Sequence, residues 1–183
     1  MWELAQNQDD TTIPRLMSIL DEDDTNYRRA AVKALGAIGL DTIPPLVEAL
    51  LNSDNATVRG SAAKALAQVA INHPDVPFPA EGVEGLKSAL NDPNPVVHIA
   101  AVMAMGEIGT SVVPILIEAL QTTDNPALAI SIVNSLAAIG DERGVNVLTT
   151  LIQEEATDSY VRESATSALS RLEMTTKFQR GER

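Results

Sequence analysis

One thirteen-residue pattern returns five times along the chain without a gap: YRRAAVKALGAIG from Tyr27, VRGSAAKALAQVA from Val58, VHIAAVMAMGEIG from Val97, LAISIVNSLAAIG from Leu128 and VRESATSALSRLE from Val161. The Leu seven places after the Arg column marks each copy. With a partial copy, WELA, near the start, the markers are Leu4, Leu35, Leu66, Met105, Leu136 and Leu169, at spacings of 31, 31, 39, 31 and 33. A period of this length means stacked supersecondary units, none of which buries its apolar face alone. A second set lies between the copies, with TIPRLMSIL from Thr12, TIPPLVEAL from Thr42, GVEGLKSAL from Gly82, VVPILIEAL from Val112 and GVNVLTTLI from Gly144, so each unit holds two helices.

Local chemistry agrees with helices. Tyr27, Ala31, Ala34, Leu35 and Ile38 recur at three- and four-residue steps and paint one stripe. Pro14, Pro44 and Pro114 fall near helix starts, and Gly39, Gly109 and Gly140 just past helix ends, where a left-handed residue closes the cap. Asp- and Asn-rich clusters mark the turns inside each pair, and no alternating strand pattern is present. The pattern predicts an all-α fold, an α-solenoid of about five antiparallel helix pairs in one domain over 1–183, with a tail over 174–183. The first unit begins with a truncated half-repeat, so Ile13, Leu16 and Leu20 are expected to lack packing surface. The spacing of 39 places an inserted loop over 71–82, INHPDVPFPAEG, whose Phe78 is either surface or a partner contact.

Composition narrows the chemistry. With 25 acidic and 13 basic residues the net charge is −12, a field that repels nucleic acid. Cysteine is absent, which removes disulfides and thiolate ligands. Neither an apolar run of spanning length nor a signal peptide is read, so a cytoplasmic protein without membrane contact is expected. No catalytic residues and no metal site are expected: His73 and His98 are the only histidines, and the acidic clusters lack the spacing of a calcium loop.

The motif V-R-x-x-A-x-x-A-L-x-x-I-G after an Asp-rich turn resembles the HEAT-like repeats of the phycobilisome lyase type, from about Thr11 to Leu172. The resemblance implies a HEAT/armadillo-like superhelix of cyanobacterial origin, with the second helix of each pair lining a concave side. Among such relatives, lyases pair two different HEAT-type subunits to present a phycobilin to a phycobiliprotein; others assist phycobilisome degradation or iron–sulfur assembly proteins. This chain looks closest to the non-lyase accessory kind, and no lyase motif transfers onto its residues.

Two residue columns follow. Arg28, Arg59, His98, Ala129 and Arg162 border the buried stripe and are expected to pair, as a structural ladder between units, with the turn acids Asp24, Asp54, Asp92, Asp124 and Asp158. At about 100° per residue, the opposite column places Arg29, Lys33 and Lys64 at a basic end of the groove, followed by Ile99, Met103, Glu107, Ile130 and Asn134. Exposed Ile and Met there point to a partner-binding groove. The leading expectation is a non-catalytic scaffold or adaptor holding a protein and needing no cofactor. A bilin lyase subunit is the alternative, with Arg29, Lys33 and Lys64 pairing the propionates of a phycobilin and Met103 packing the tetrapyrrole. An accessory to iron–sulfur assembly proteins is a third reading.

Overall fold

The computed structural model describes the backbone of residues 9–180 and the side chains of residues 9–174. The partial copy around Leu4 lies outside the described residues. Within them the chain forms ten α-helices and no strand: α1 Thr12–Ser18, α2 Thr25–Ile38, α3 Ile43–Asn52, α4 Ala56–Asn72, α5 Ala80–Ala89, α6 Pro95–Ile108, α7 Val113–Thr122, α8 Pro126–Ile139, α9 Glu142–Gln153 and α10 Ser159–Arg180. They are consecutive antiparallel pairs, the all-α solenoid that the repeat predicts. None is long and apolar enough to cross a membrane. The backbone of 174–180, set apart above as a tail, continues α10.

Two compact units divide the chain, one ending at Ile108 and one beginning at Gly109. In the first, α2, α4 and α6 pack side by side as one layer, while α3 packs on α4 and α5. Leu35, Leu66 and Met105, the repeat markers, are each 0 % exposed and sit with Leu46, Leu50 and Leu86 between the layers. Each such side chain contributes about 1.5–3 kcal/mol through burial. In the second unit α8 packs on α10 and α9 on α10, around Leu116, Ile132, Leu136 and Leu148.

Helix boundaries follow the turn chemistry. Asp24, Asn55, Asn125 and Asp141 each accept backbone N–H bonds from the first turn of the helix they precede, and Asp158 does the same at Tyr160 and Val161. Gly39, Gly109 and Gly140 all have positive φ, but only Gly140 is a left-handed cap. Gly39 and Gly109 combine φ of 97° and 89° with ψ near −140°, a region that requires glycine and turns the chain into a short 3₁₀ segment. Buried Thr42 locks the first of these, donating to the Gly39 carbonyl at 2.7 Å.

Three expectations are corrected. Leu16 and Leu20 are 0 % exposed, because the 3₁₀ turn Ile19–Asp21 folds against α2 and α4 and carries Leu20 under them. The inserted loop is shorter than 71–82, since Ile71 and Asn72 complete α4 and Ala80–Gly82 open α5. Phe78 is half-buried rather than displayed: its ring lies over Gly82, where an added Cβ would meet Cε1 at 2.5 Å.

Candidate functional site

An open groove of about 590 Å³ lies across the exposed edges of α2, α4 and α6, wholly within the first unit. Its floor follows from residue size. Gly36 lets α2 approach α4 so closely that a Cβ there would overlap the Gln68 Cβ at 2.3 Å. Gly60, one turn before Lys64, leaves open space bounded by Val96. Over this floor stand Arg28, Arg29 and Lys33 from α2 and Lys64 from α4, facing Val96, Met103 and Glu107 from α6. Met103 is 61 % exposed and Val96 59 %. Large apolar surface thus lies next to four cations and one acid, in a chain of net charge −12.

The predicted groove residues divide. Arg29, Lys33, Lys64, Met103 and Glu107 line this groove together. Ile99 is half-buried on α6 and does not line it, so the apolar patch belongs to Met103 with Val96 and Ile71. Ile130 and Asn134 belong to the second unit, where Ile130 is half-buried. Asn134 there donates to the Ile130 carbonyl at 2.9 Å and accepts from Arg171 at 2.6 Å. Val96 and Ile71 were missed, although each is one further heptad step from a predicted member, Val96 seven before Met103 and Ile71 seven after Lys64.

The ladder column is mostly a set of turn clasps. Among the described residues of this column, only the Arg59 guanidinium reaches an acid of the next repeat, within the first unit: Nε and Nη2 donate to the two Asp92 carboxylate oxygens at 2.7 and 3.0 Å, while Nη1 donates to the Ser53 and Asp54 carbonyls at 2.9 and 3.2 Å. The guanidinium bond holds the Asp92 carboxyl below its ordinary range, against desolvation that raises it, and raises Arg59. Arg28 and Arg162 instead donate to carbonyls of their own turns, Glu22 and Asp23 for Arg28, and Glu154, Glu155 and Thr157 for Arg162. The acceptor differs because a rung needs an acid two residues before the next helix cap, where Asp92 stands; the predicted Asp54 stands one before its cap, and Asp24 and Asp158 are themselves caps. His98 is 7 % exposed and its Nε2 has no hydrogen-bond partner.

Comparison with known proteins agrees with this architecture. A family model described as HEAT repeats matches residues 1–67 and 83–170. A phycocyanin operon protein Z of Pseudanabaena tenuis (strain PCC 7409) is 68 % identical over 180 residues, covering 98 % of this chain and 89 % of that one. The bilin biosynthesis protein CpeZ of Synechococcus sp. (strain WH8020) is 36 % identical over 174 residues, covering 92 % and 93 %. Among solved structures, a designed armadillo repeat protein superposes with a TM-score of 0.51 at 20 % identity, over 93 % of this chain and 91 % of the other, a likeness of fold alone. With its repeats matched and two cyanobacterial relatives aligned along nearly its whole length, the chain belongs to the HEAT-repeat, bilin-lyase-related family.

Proposed function

We propose that this protein is a non-catalytic binding component of bilin attachment, holding a phycobiliprotein chain on the groove of α2, α4 and α6. The groove itself carries the reading: Arg29, Lys33 and Lys64 beside exposed Met103 and Val96 suit an acidic, partly apolar surface. Its lining contains no histidine and no pair of carboxylates, so what it offers is recognition. The relative named for bilin biosynthesis supports the choice of partner. In this reading the protein works in the cytoplasm, alone or beside a second HEAT-type subunit. The test is calorimetric titration with bilin-free phycobiliprotein subunits. Met103→Glu places an unpaired charge in a desolvated contact and weakens binding at least about tenfold, whereas Glu48→Lys, exposed on α3, leaves it unchanged. Normal binding by Met103→Glu would end the proposal.

The size of the groove favours a second reading, since about 590 Å³ lies within the range of small-molecule pockets. Here the protein is a lyase subunit, a phycobilin's propionates pairing with Arg29, Lys33 and Lys64 while Met103 packs on the tetrapyrrole. Phycocyanobilin then shows an absorbance shift with the protein that Lys33→Glu abolishes. An unshifted spectrum eliminates this reading and leaves the first.

A further inference from the structure

In the second unit the clasp column carries Ala129, and a cavity of about 250 Å³ opens beside it, lined by Thr123, Asp124, Asn125, Ala129, Ala156 and Asp158 among others. Register identifies what is missing. Ala129 stands four residues after the α8 cap Asn125, as Arg59 stands four after Asn55, and Ala156 stands two before the α10 cap Asp158, as Asp92 stands two before Asn94. Both members of the Arg59–Asp92 rung are thus alanine at this junction. The clasp is absent too: Arg28 and Arg59 donate to the carbonyls six and five positions before them, and the corresponding carbonyls here belong to Thr123 and Asp124. No Lys or Arg lines the cavity, while two carboxylates, Asp124 and Asp158, do.

From this we infer that the cavity is a receptor for the guanidinium of an arginine side chain supplied by a partner polypeptide. The same backbone turn binds a guanidinium at Arg28, Arg59 and Arg162, so its carbonyls are already arranged for planar N–H donors. Because the position of Asp92 is Ala156 here, the countercharge comes instead from Asp124, the register equivalent of Asp54, on the cavity wall. At about 250 Å³ the cavity is smaller than ordinary ligand pockets of about 300–1,000 Å³ and matches one side chain entering from solvent. This site is independent of the groove on α2, α4 and α6.

The test is a titration of ¹⁵N-labelled protein with N-acetylarginine amide, followed at the amides of 123–129 and 156–161. Saturable shifts are expected there, with N-acetyllysine amide binding at least about fivefold more weakly and the neutral citrulline analogue not at all. Ala129→Arg fills the cavity with its own guanidinium and abolishes the response. Asp124→Asn, a change at an exposed residue that leaves the fold intact, weakens it and covers the case in which Ala129→Arg fails to fold. Unmoved amides, equal shifts with lysine and arginine, or an undiminished response in Asp124→Asn would overturn the inference. Tighter binding of free L-arginine than of its capped amide would also overturn it, by making the occupant a metabolite.

Discussion

Arg59 and Asp92 have side chains only 13 % and 8 % exposed, so removing one leaves the other charged in a poorly hydrated place. Arg59→Ala also releases the Ser53 and Asp54 carbonyls, and is expected to destabilise the fold by about 2–4 kcal/mol in urea unfolding. Arg28→Ala, whose guanidinium bonds are exposed to water, costs less than about 1 kcal/mol. The same pair sets a pH dependence. Hydrogen bonding to Arg59 lowers the Asp92 carboxyl in the folded state, so its stabilisation is complete above the unfolded aspartate value of about 3.9 and is lost as pH falls through the lower folded value. The stability gap between the native protein and Asp92→Asn is therefore constant from pH 7 to about 4.5 and narrows below that. A gap that narrows above pH 5 would contradict the assignment. The arginine column was legible because side-chain spacing on a helix is fixed by geometry. Of its acceptors only Asp92 was, because a shift of one or two residues in a turn exchanges a carboxylate for a carbonyl.

Helix packing gives two glycines opposite sensitivities. Gly36 occupies the crossing of α2 and α4, where a Cβ has no space and the obstruction is a helix Cβ with its backbone. Gly36→Ala therefore forces the helices apart and costs about 1–3 kcal/mol. Gly60 is also in a helix interior, yet its nearest obstruction to a Cβ is Val96 at 3.9 Å. Gly60→Ala is expected to stabilise by about 0.5–1 kcal/mol, the gain of alanine over glycine in a helix. Thermal unfolding of the two variants separates them, and shifts in the same direction would show that the close approach is misplaced. Helix pairs, turn positions and core markers were legible because period, turn chemistry and Leu stripes are local, whereas Gly39 and Gly109 depart from the left-handed caps expected there. The extent of the insertion was not. Its prolines announce a loop, but α4 continues through Ile71 and Asn72 along the stack, and Phe78 turns inward because Gly82 leaves room for its ring.

At the scale of the whole molecule, charge is unevenly placed. The chain carries 13 basic and 25 acidic residues, yet four of the basic ones and one of the acidic ones line the groove of the first unit. Arg29, Lys33, Lys64, Met103 and Glu107 could be derived from a 100° step per residue, since the members on each helix share one face. Val96 and Ile71 lie one further heptad step along the same helices from Met103 and Lys64, beyond the ends of the predicted column. A cationic groove on an otherwise anionic molecule attracts an acidic partner locally while the rest of the surface repels it, so charge acts mainly on encounter and orientation. Association with a bilin-free phycobiliprotein subunit should therefore slow as salt rises from about 0.05 to about 0.5 M, while dissociation changes little. Lys64→Glu removes a cation at the middle helix of the groove and adds an anion; it should slow association several-fold and flatten the salt dependence. Glu107→Lys should do the reverse. Stopped-flow measurement at several salt concentrations distinguishes these effects from that of Met103→Glu, which removes apolar contact and is read mainly as faster dissociation. If Lys64→Glu altered only dissociation, or Glu107→Lys slowed association, the groove would not be the face through which the partner enters.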